Sequence, residues 1–156
     1  MQRFRQAAFL STRRIVNMQC KTYLERCYYE KYLLDIAIVT LERGGVTSKV
    51  DTYQFLDAID AWGLPKYPGR TVILTPEADL VEELRQFIDE NEQDLLEPDT
   101  WLGTWVDPQT QRYYLDLTII RPVLEEAKRE ALERSRQEGR SVVAVYNFKR
   151  NLTVYL

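Results

Sequence analysis

The chain has 156 residues, of which 45% are apolar and 29% charged, and its net charge is −3. This length suits one domain, and the composition is far from those that keep a chain disordered. Histidine is absent, which removes the most frequent general base and metal ligand of proteins. Any catalysis would depend on carboxylates, lysine, tyrosine or cysteine, and we expect no cofactor and no metal site.

The two cysteines, Cys20 and Cys27, lie in a predicted helix, where seven residues separate their Cα atoms by about 10 Å. A disulfide cannot span that distance, and two thiols without histidine do not make a zinc site. The sequence has no apolar run long enough to cross a membrane and no recognisable apolar leader. We therefore expect ordinary helix cysteines in a cytoplasmic protein.

The first 17 residues contain no acidic residue. Such a segment is typical of a basic arm that docks on a membrane or nucleic acid, or of a targeting peptide. The alternative, which we favour, is a loosely attached tail that starts upstream of a second possible start at Met18. The domain organisation is then a basic tail over 1–17 and a single α+β domain over 18–156. The arginines of the tail are Arg3, Arg5, Arg13 and Arg14.

Helices dominate the first two thirds of the chain. Apolar residues at three- and four-residue spacing predict a long first helix that ends at Gly44, although 36–41 is rich enough in β-branched residues to form a strand. Asp51 is a plausible N-cap for a second helix, and Pro76 suits the first position of a third. The predicted elements are helices over about 15–43, 52–62 and 76–90, and a buried strand over 70–74.

The final third has the alternation and turn residues of strands. Two aromatic-rich runs flank a turn that contains Pro108, which predicts a β-hairpin. A helix follows from Pro122 to about 138, and a second hairpin ends the chain. These elements give an α+β fold in which an N-terminal helical part packs on a mostly antiparallel sheet, with β-β-α-β-β at the C-terminus. The predicted strands are 101–106, 112–118, 141–147 and 152–156.

Carboxylates beside the first hairpin are the candidates for chemistry. Asp107 and Asp116 flank it and could act as an acid–base pair or hold a divalent cation, although turn-forming and capping roles are commoner for such residues. Asp116 followed by Glu126 and Lys128 resembles the acid and E-x-K of metal-dependent nucleases. A helix would separate these last two side chains by about 200°, which argues against that chemistry. No phosphate-binding glycine motif is present.

Ten tyrosines and three tryptophans are more than one core readily absorbs. Tyr113 and Tyr114 are strand neighbours, so at least one must face away from the core. Trp101 and Trp105 share a face, with Gly103 leaving space between them. Surplus aromatic rings are typical of interfaces; the alternative is that they merely cover the sheet. The candidate interface residues are Tyr28, Tyr29, Tyr32, Trp101, Trp105, Tyr113 and Tyr114.

The motif from Trp101 to Pro108, followed by Tyr114-Leu-Asp116, a helix and the strand Val143 to Asn147, resembles a small module of uncharacterised bacterial and phage proteins. That module has a G-x-W-x-D-P motif, a Y-L-D motif and a closing strand around one helix. The resemblance covers about a third of the chain. It implies a β-β-α-β unit and carries no function or catalytic residue with it.

We expect a non-enzymatic interaction or accessory protein that binds itself or another protein through surface aromatics. One alternative is a small carboxylate-based enzyme or nucleic-acid processing factor; another is a basic arm that docks on membrane or nucleic acid. Apart from that arm, we expect no nucleic-acid or membrane partner. A concave pocket joining two or more carboxylates would favour an enzyme, and a flat aromatic surface would favour an interaction protein. The carboxylates in question are Asp107, Asp116, Glu125 and Glu126.

Overall fold

The computed structural model describes residues 22–156, so the predictions for the basic tail lie outside the described residues. The first helix begins with a capping box, in which the Thr22 hydroxyl accepts from the Glu25 N–H and the Glu25 carboxylate accepts from the Thr22 N–H. It ends at Gly44, which has a φ of 86°. The helices of the described part are α1 (Tyr23–Arg43), α2 (Leu80–Glu90), α3 (Glu92–Leu95) and α4 (Leu124–Glu138).

Seven strands form one curled antiparallel sheet. The strands are β1 (Gly45–Ser48), β2 (Trp62–Pro65), β3 (Val72–Leu74), β4 (Trp101–Val106), β5 (Tyr113–Arg121), β6 (Ala144–Asn147) and β7 (Leu152–Tyr155). Six of them follow the order β1-β4-β5-β2-β6-β7, and β3 pairs with β5 off this path. The central β5 thus pairs with β4 along one side, and its other side is shared, because β3 pairs with 113–115 and β2 with 118–121.

Helices cover one face of the sheet. α1 and α2 pack on Leu102 and Leu117 in one core cluster, and α4 packs on Leu64 and Ile119 in a second. Because side chains alternate along a strand, residues between these positions, such as Asp116, face the opposite side. That opposite side, called here the concave face, has no helix packed on it in the described part of the chain.

The α+β class is confirmed. Both predicted hairpins form, as does the helix between them. The long first helix also forms, but it begins at Tyr23, with Thr22 as its N-cap, and not near residue 15 as predicted; the strand alternative at 36–41 is wrong. The third helix begins at Leu80, four residues later than predicted, where the Asp79 carboxylate accepts from the Glu82 N–H.

The predicted helix over 52–62 is wrong. Tyr53 has a φ of 60°, a conformation that a helix does not contain. Phe55 forms an isolated bridge with Ser48, so this segment borders β1 instead of coiling. Trp62 belongs to β2 and is buried against α4. The apolar residues of this stretch therefore serve different neighbours, and their helical spacing has no structural consequence.

Candidate functional site

Two of the tyrosines proposed for an interface are core residues. The ring of Tyr32 stacks on Tyr53 with centroids 4.6 Å apart, and its hydroxyl hydrogen-bonds to Ser48 at 2.6 Å. Tyr29 is equally buried, and burial raises the pKa of both core phenols. Neither can contact a partner, whereas their neighbour Tyr28 is 58% exposed.

The aromatic residues of the first hairpin divide between the two faces of the sheet. Tyr113 packs beside the first core cluster. Tyr114 lies on the concave face, where its ring centroid is 5.0 Å from that of Trp105. Trp101 lies beneath the ammonium of Lys49, 4.9 Å from the centroid of its ring. The concave face therefore holds an aromatic cluster at the β4–β5 hairpin.

The space expected above Gly103 is occupied. A Cβ at this position would lie 2.0 Å from Oγ1 of Thr118. Glycine is thus required so that the Thr118 side chain can lie flat on the floor of the concave face. The Thr118 side chain, and not open space, therefore lies directly beside Gly103 between the two tryptophans.

Asp107 is a structural carboxylate. It is buried and accepts hydrogen bonds from the Gln109 N–H, the Thr110 hydroxyl and the Tyr155 hydroxyl, the last at 2.8 Å. Burial alone would raise the pKa of Asp107, but these hydrogen bonds outweigh it and hold the pKa below its ordinary value. The side chain ties the end of β7 to the β4–β5 turn.

Asp116 differs from Asp107 in having fewer hydrogen-bond donors and a raised pKa. It lies where β5 changes its partner from β3 to β2, and it is half-buried. The Thr71 hydroxyl donates to Oδ1, whereas no residue of the described chain donates to Oδ2. Burial raises the pKa of Asp116 to about 6, although the Thr71 hydrogen bond and the charge of Arg140 oppose the shift.

Curling of the sheet turns the concave face into a cleft of about 940 Å³. Tyr155 at one end of the sheet reaches across to the ring of Trp105, with centroids 6.3 Å apart. Trp105, Tyr146 and Phe148 line the cleft, and Asp116 lies on its floor. Exposed Arg43 and Lys149 also border it.

Of the four carboxylates considered from the sequence, Asp116 alone borders this cleft. Asp107 is engaged elsewhere, and Glu125 and Glu126 lie on α4. Glu126 and Lys128 are both helical, as the argument against a nuclease requires. Residues 22–156 contain no cluster of acidic or cysteine side chains that could hold a metal ion. The cleft thus has Asp116 on its floor among aromatic walls, and the exposed carboxylate of Asp57 at its border.

A second candidate site is the outer face of α1, the side that points away from the sheet. Apart from Lys31, its side chains are apolar, and they are largely exposed, with Leu24 at 61% and Leu41 at 60%. These residues supplied the spacing that predicted the helix, yet the core is built by a different set, which includes Leu33 and Ile36. The outer face consists of Leu24, Cys27, Tyr28, Lys31, Leu34, Ile38 and Leu41.

No protein-family model, curated protein or solved structure matches the chain. Within residues 22–156, no helix has the length and apolar character needed to cross a bilayer.

Proposed function

We propose that the protein is a self-associating interaction protein and that two copies meet through the outer face of α1. The observation that carries the proposal is that α1 is apolar on both sides. A helix with apolar residues all round is normally buried all round. The inner side is buried by the sheet and α2. We therefore infer that the outer face is buried by a binding partner. Contiguous exposed apolar patches of this kind are typical of binding surfaces.

The spacing of the outer face favours a helical partner. Its residues alternate between three- and four-residue steps over nearly three heptads, which is the seam of a two-stranded coiled coil. A single lysine within such a seam is a known device for fixing register and partner number. The seam residues are Leu24, Cys27, Lys31, Leu34, Ile38 and Leu41.

A second copy of the same helix is a suitable partner only in the antiparallel orientation. In a parallel pair, Lys31 would face Lys31 of the second copy, and Glu30 would approach Asp35 of the second copy. Both contacts bring like charges together. An antiparallel pair instead places Lys31 opposite Leu34 of the second copy and puts Glu30 and Asp35 on opposite sides of the seam, and it also aligns the two helix dipoles favourably.

The antiparallel pair is self-complementary along the whole seam. Lys31 packs its aliphatic stem beside a leucine, and its ammonium, which already pairs with Asp35 at 2.5 Å within the helix, also approaches Asp35 of the second copy. The same contacts recur by two-fold symmetry. Across the seam, Leu24 meets Leu41, Cys27 meets Ile38, and Lys31 meets Leu34.

The size of the contact is sufficient for a dimer. At about 100 Å² for each exposed apolar side chain, the seam with Tyr23 and Tyr28 at its edge buries on the order of 600 Å² on each copy. The total of about 1,200 Å² lies at the lower end of stable specific interfaces. We therefore expect a dimer of micromolar or tighter affinity.

Light scattering coupled to size exclusion tests the proposal. We expect wild-type protein at micromolar concentration to have twice the 18.5 kDa chain mass, and Leu34→Asp to be a monomer because it places a charge in the seam. Leu132→Asp is the matched control, since Leu132 on α4 is as exposed as Leu34, at 50%. This control should remain dimeric. A monomeric wild type, or a dimeric Leu34→Asp, would refute the proposal.

A further inference from the structure

The concave cleft has the size of a small-molecule site, and it lies apart from the outer face of α1. Its volume of about 940 Å³ lies within the range of small-molecule sites, about 300–1,000 Å³. Glycines in the floor of the cleft leave room for the neighbouring side chains that line it. A Cβ at Gly63 would lie 2.6 Å from Cζ of Phe148, and one at Gly103 would collide with Thr118. Larger residues at these glycines would displace the side chains that line the cleft.

The floor has a carboxylate oxygen that receives no hydrogen bond from residues 22–156. Thr71 fixes Oδ1 of Asp116, and Oδ2 receives no donor from the described chain. Asp107, by contrast, has three donors. Desolvation is unfavourable for an ionised carboxylate oxygen that has no donor, and a donor supplied by a ligand to Oδ2 would reduce that cost. The unmet requirement of the site is therefore an N–H or O–H group, best carried by a cation.

The walls favour the same chemistry. Trp105 belongs to a cluster with Tyr114 and Tyr155, and Phe148 packs edge-on against Tyr146, with centroids 6.1 Å apart. Aromatic faces attract ammonium and guanidinium groups and also pack well on apolar ligand surface. Rings beside a carboxylate are thus complementary to an organic cation with an apolar body.

We propose that the concave cleft binds a small organic cation, with an aromatic or aliphatic body between the rings and a protonated amine or amidine that donates to Oδ2 of Asp116. Arg43 and Lys149 restrict the choice further, because their charges border the same cleft. They disfavour a ligand with several positive charges, such as a polyamine or a basic peptide. They suit a ligand with one cationic head and a neutral or acidic remainder.

Such binding depends on pH in a defined direction. The cation pairs with the ionised carboxyl, so its affinity falls as Asp116 becomes protonated, and the pKa of about 6 places that change within an accessible range. The chain has no histidine to add a titration of its own in this range. The titratable and charged groups that face Asp116 or border the cleft are Tyr114, Arg140, Arg43, Asp57, Tyr146 and Lys149.

Calorimetric titration with two matched ligand pairs tests the inference. Phenethylamine and benzamidine are the cations; phenethyl alcohol and benzamide are their neutral counterparts. At about pH 7.5 we expect each cation to bind at least about ten-fold more tightly than its counterpart, and at about pH 5 to lose roughly ten-fold in affinity.

Two variants locate the site. Asp116→Asn keeps the size of the side chain and its acceptor for Thr71, and we expect it to abolish the preference for the cation. Glu126→Gln removes an exposed carboxylate of α4 that does not border the cleft and should leave the preference unchanged. Thermal unfolding of both variants verifies folding. Failure of both cations to bind at millimolar concentration, equal binding of cation and counterpart, or unchanged binding by Asp116→Asn would each overturn the inference.

Discussion

The two sides of α1 are both apolar, but only the inner side is buried. The inner side buries Leu33 and Ile36 completely, whereas the outer face leaves Leu34 and Ile38 about half exposed. Helical periodicity detects the helix equally well from either side, because both stripes repeat every three or four residues. It does not identify the side that faces the core. A helix that is apolar on both sides therefore indicates two contacts, one within the domain and one outside it.

The adjacent residues Leu33 and Leu34 give the strongest test of this contrast. Leu33 is fully buried and Leu34 is 50% exposed, so Leu33→Ala should lower the free energy of unfolding by about 2–5 kcal/mol through the cavity it leaves. Leu34→Ala should change it by less than about 1 kcal/mol under conditions in which the protein is monomeric. Denaturant unfolding at high dilution measures both values. Equal losses would abolish the distinction between the two sides.

The carboxylates Asp107 and Asp116 give a second comparison, within the sheet, because Asp107 has three hydrogen-bond donors and Asp116 has only Thr71. The folded-state pKa of Asp107 is lowered, so its stabilising contribution is present above the unfolded pKa and is lost as the pH falls through the folded value. The pKa of Asp116 is raised to about 6. Its contribution is complete below the unfolded pKa and is lost as the pH rises through about 6.

Substitution of Asp107 and of Asp116 should therefore change the free energy of unfolding in opposite directions. At about pH 7.5, Asp107→Ala should destabilise by roughly 1–3 kcal/mol, because it leaves its donors unpaired. Asp116→Asn should stabilise by roughly 1–3 kcal/mol at the same pH and have little effect near pH 4. Thermal or denaturant unfolding across this range measures both. A loss of stability in Asp116→Asn at neutral pH would show that the carboxylate is satisfied.

Local signals explain why some elements were predictable. The first hairpin has alternating side chains and a Pro-containing turn, and α4 is followed by Gly139 in the left-handed conformation that caps a helix. The segment 52–62 failed because its structure depends on distant partners. The Thr47 carbonyl accepts from Leu56 across a loop, a contact that periodicity within the segment does not encode.

The candidate sites could be predicted only in part from the sequence, because they too depend on contacts between residues far apart in the chain. Asp116 and Trp105 were named from the hairpin alone. The donor of Asp116, however, is Thr71, 45 residues away in the chain, and its place at the change of strand partner is a property of the whole sheet. Tyr146 and Phe148 were missed as cleft residues, although two aromatic residues beside the turn of the second hairpin were a usable signal.

The orientation of the α1 pair can be tested with the protein's own cysteine. In an antiparallel pair, Cys27 meets Ile38 of the second copy, whereas the two Cys27 side chains lie about 16 Å apart along the seam at 1.5 Å per residue. In a parallel pair, the two Cys27 side chains meet directly. Cys20 lies outside the described residues and is replaced by serine, so that Cys27 is the only remaining native thiol.

The decisive measurement is disulfide-linked dimer formation under mild oxidation, followed by non-reducing electrophoresis. Cys20→Ser should stay uncrosslinked, and Cys20→Ser with Ile38→Cys should form covalent dimer rapidly. Cys20→Ser with Leu132→Cys, which places a thiol on an exposed part of α4, controls for chance collisions. Rapid crosslinking of Cys20→Ser through Cys27 alone would contradict the antiparallel arrangement, and crosslinking of the Ile38→Cys variant no faster than the Leu132→Cys control would contradict pairing through α1 altogether.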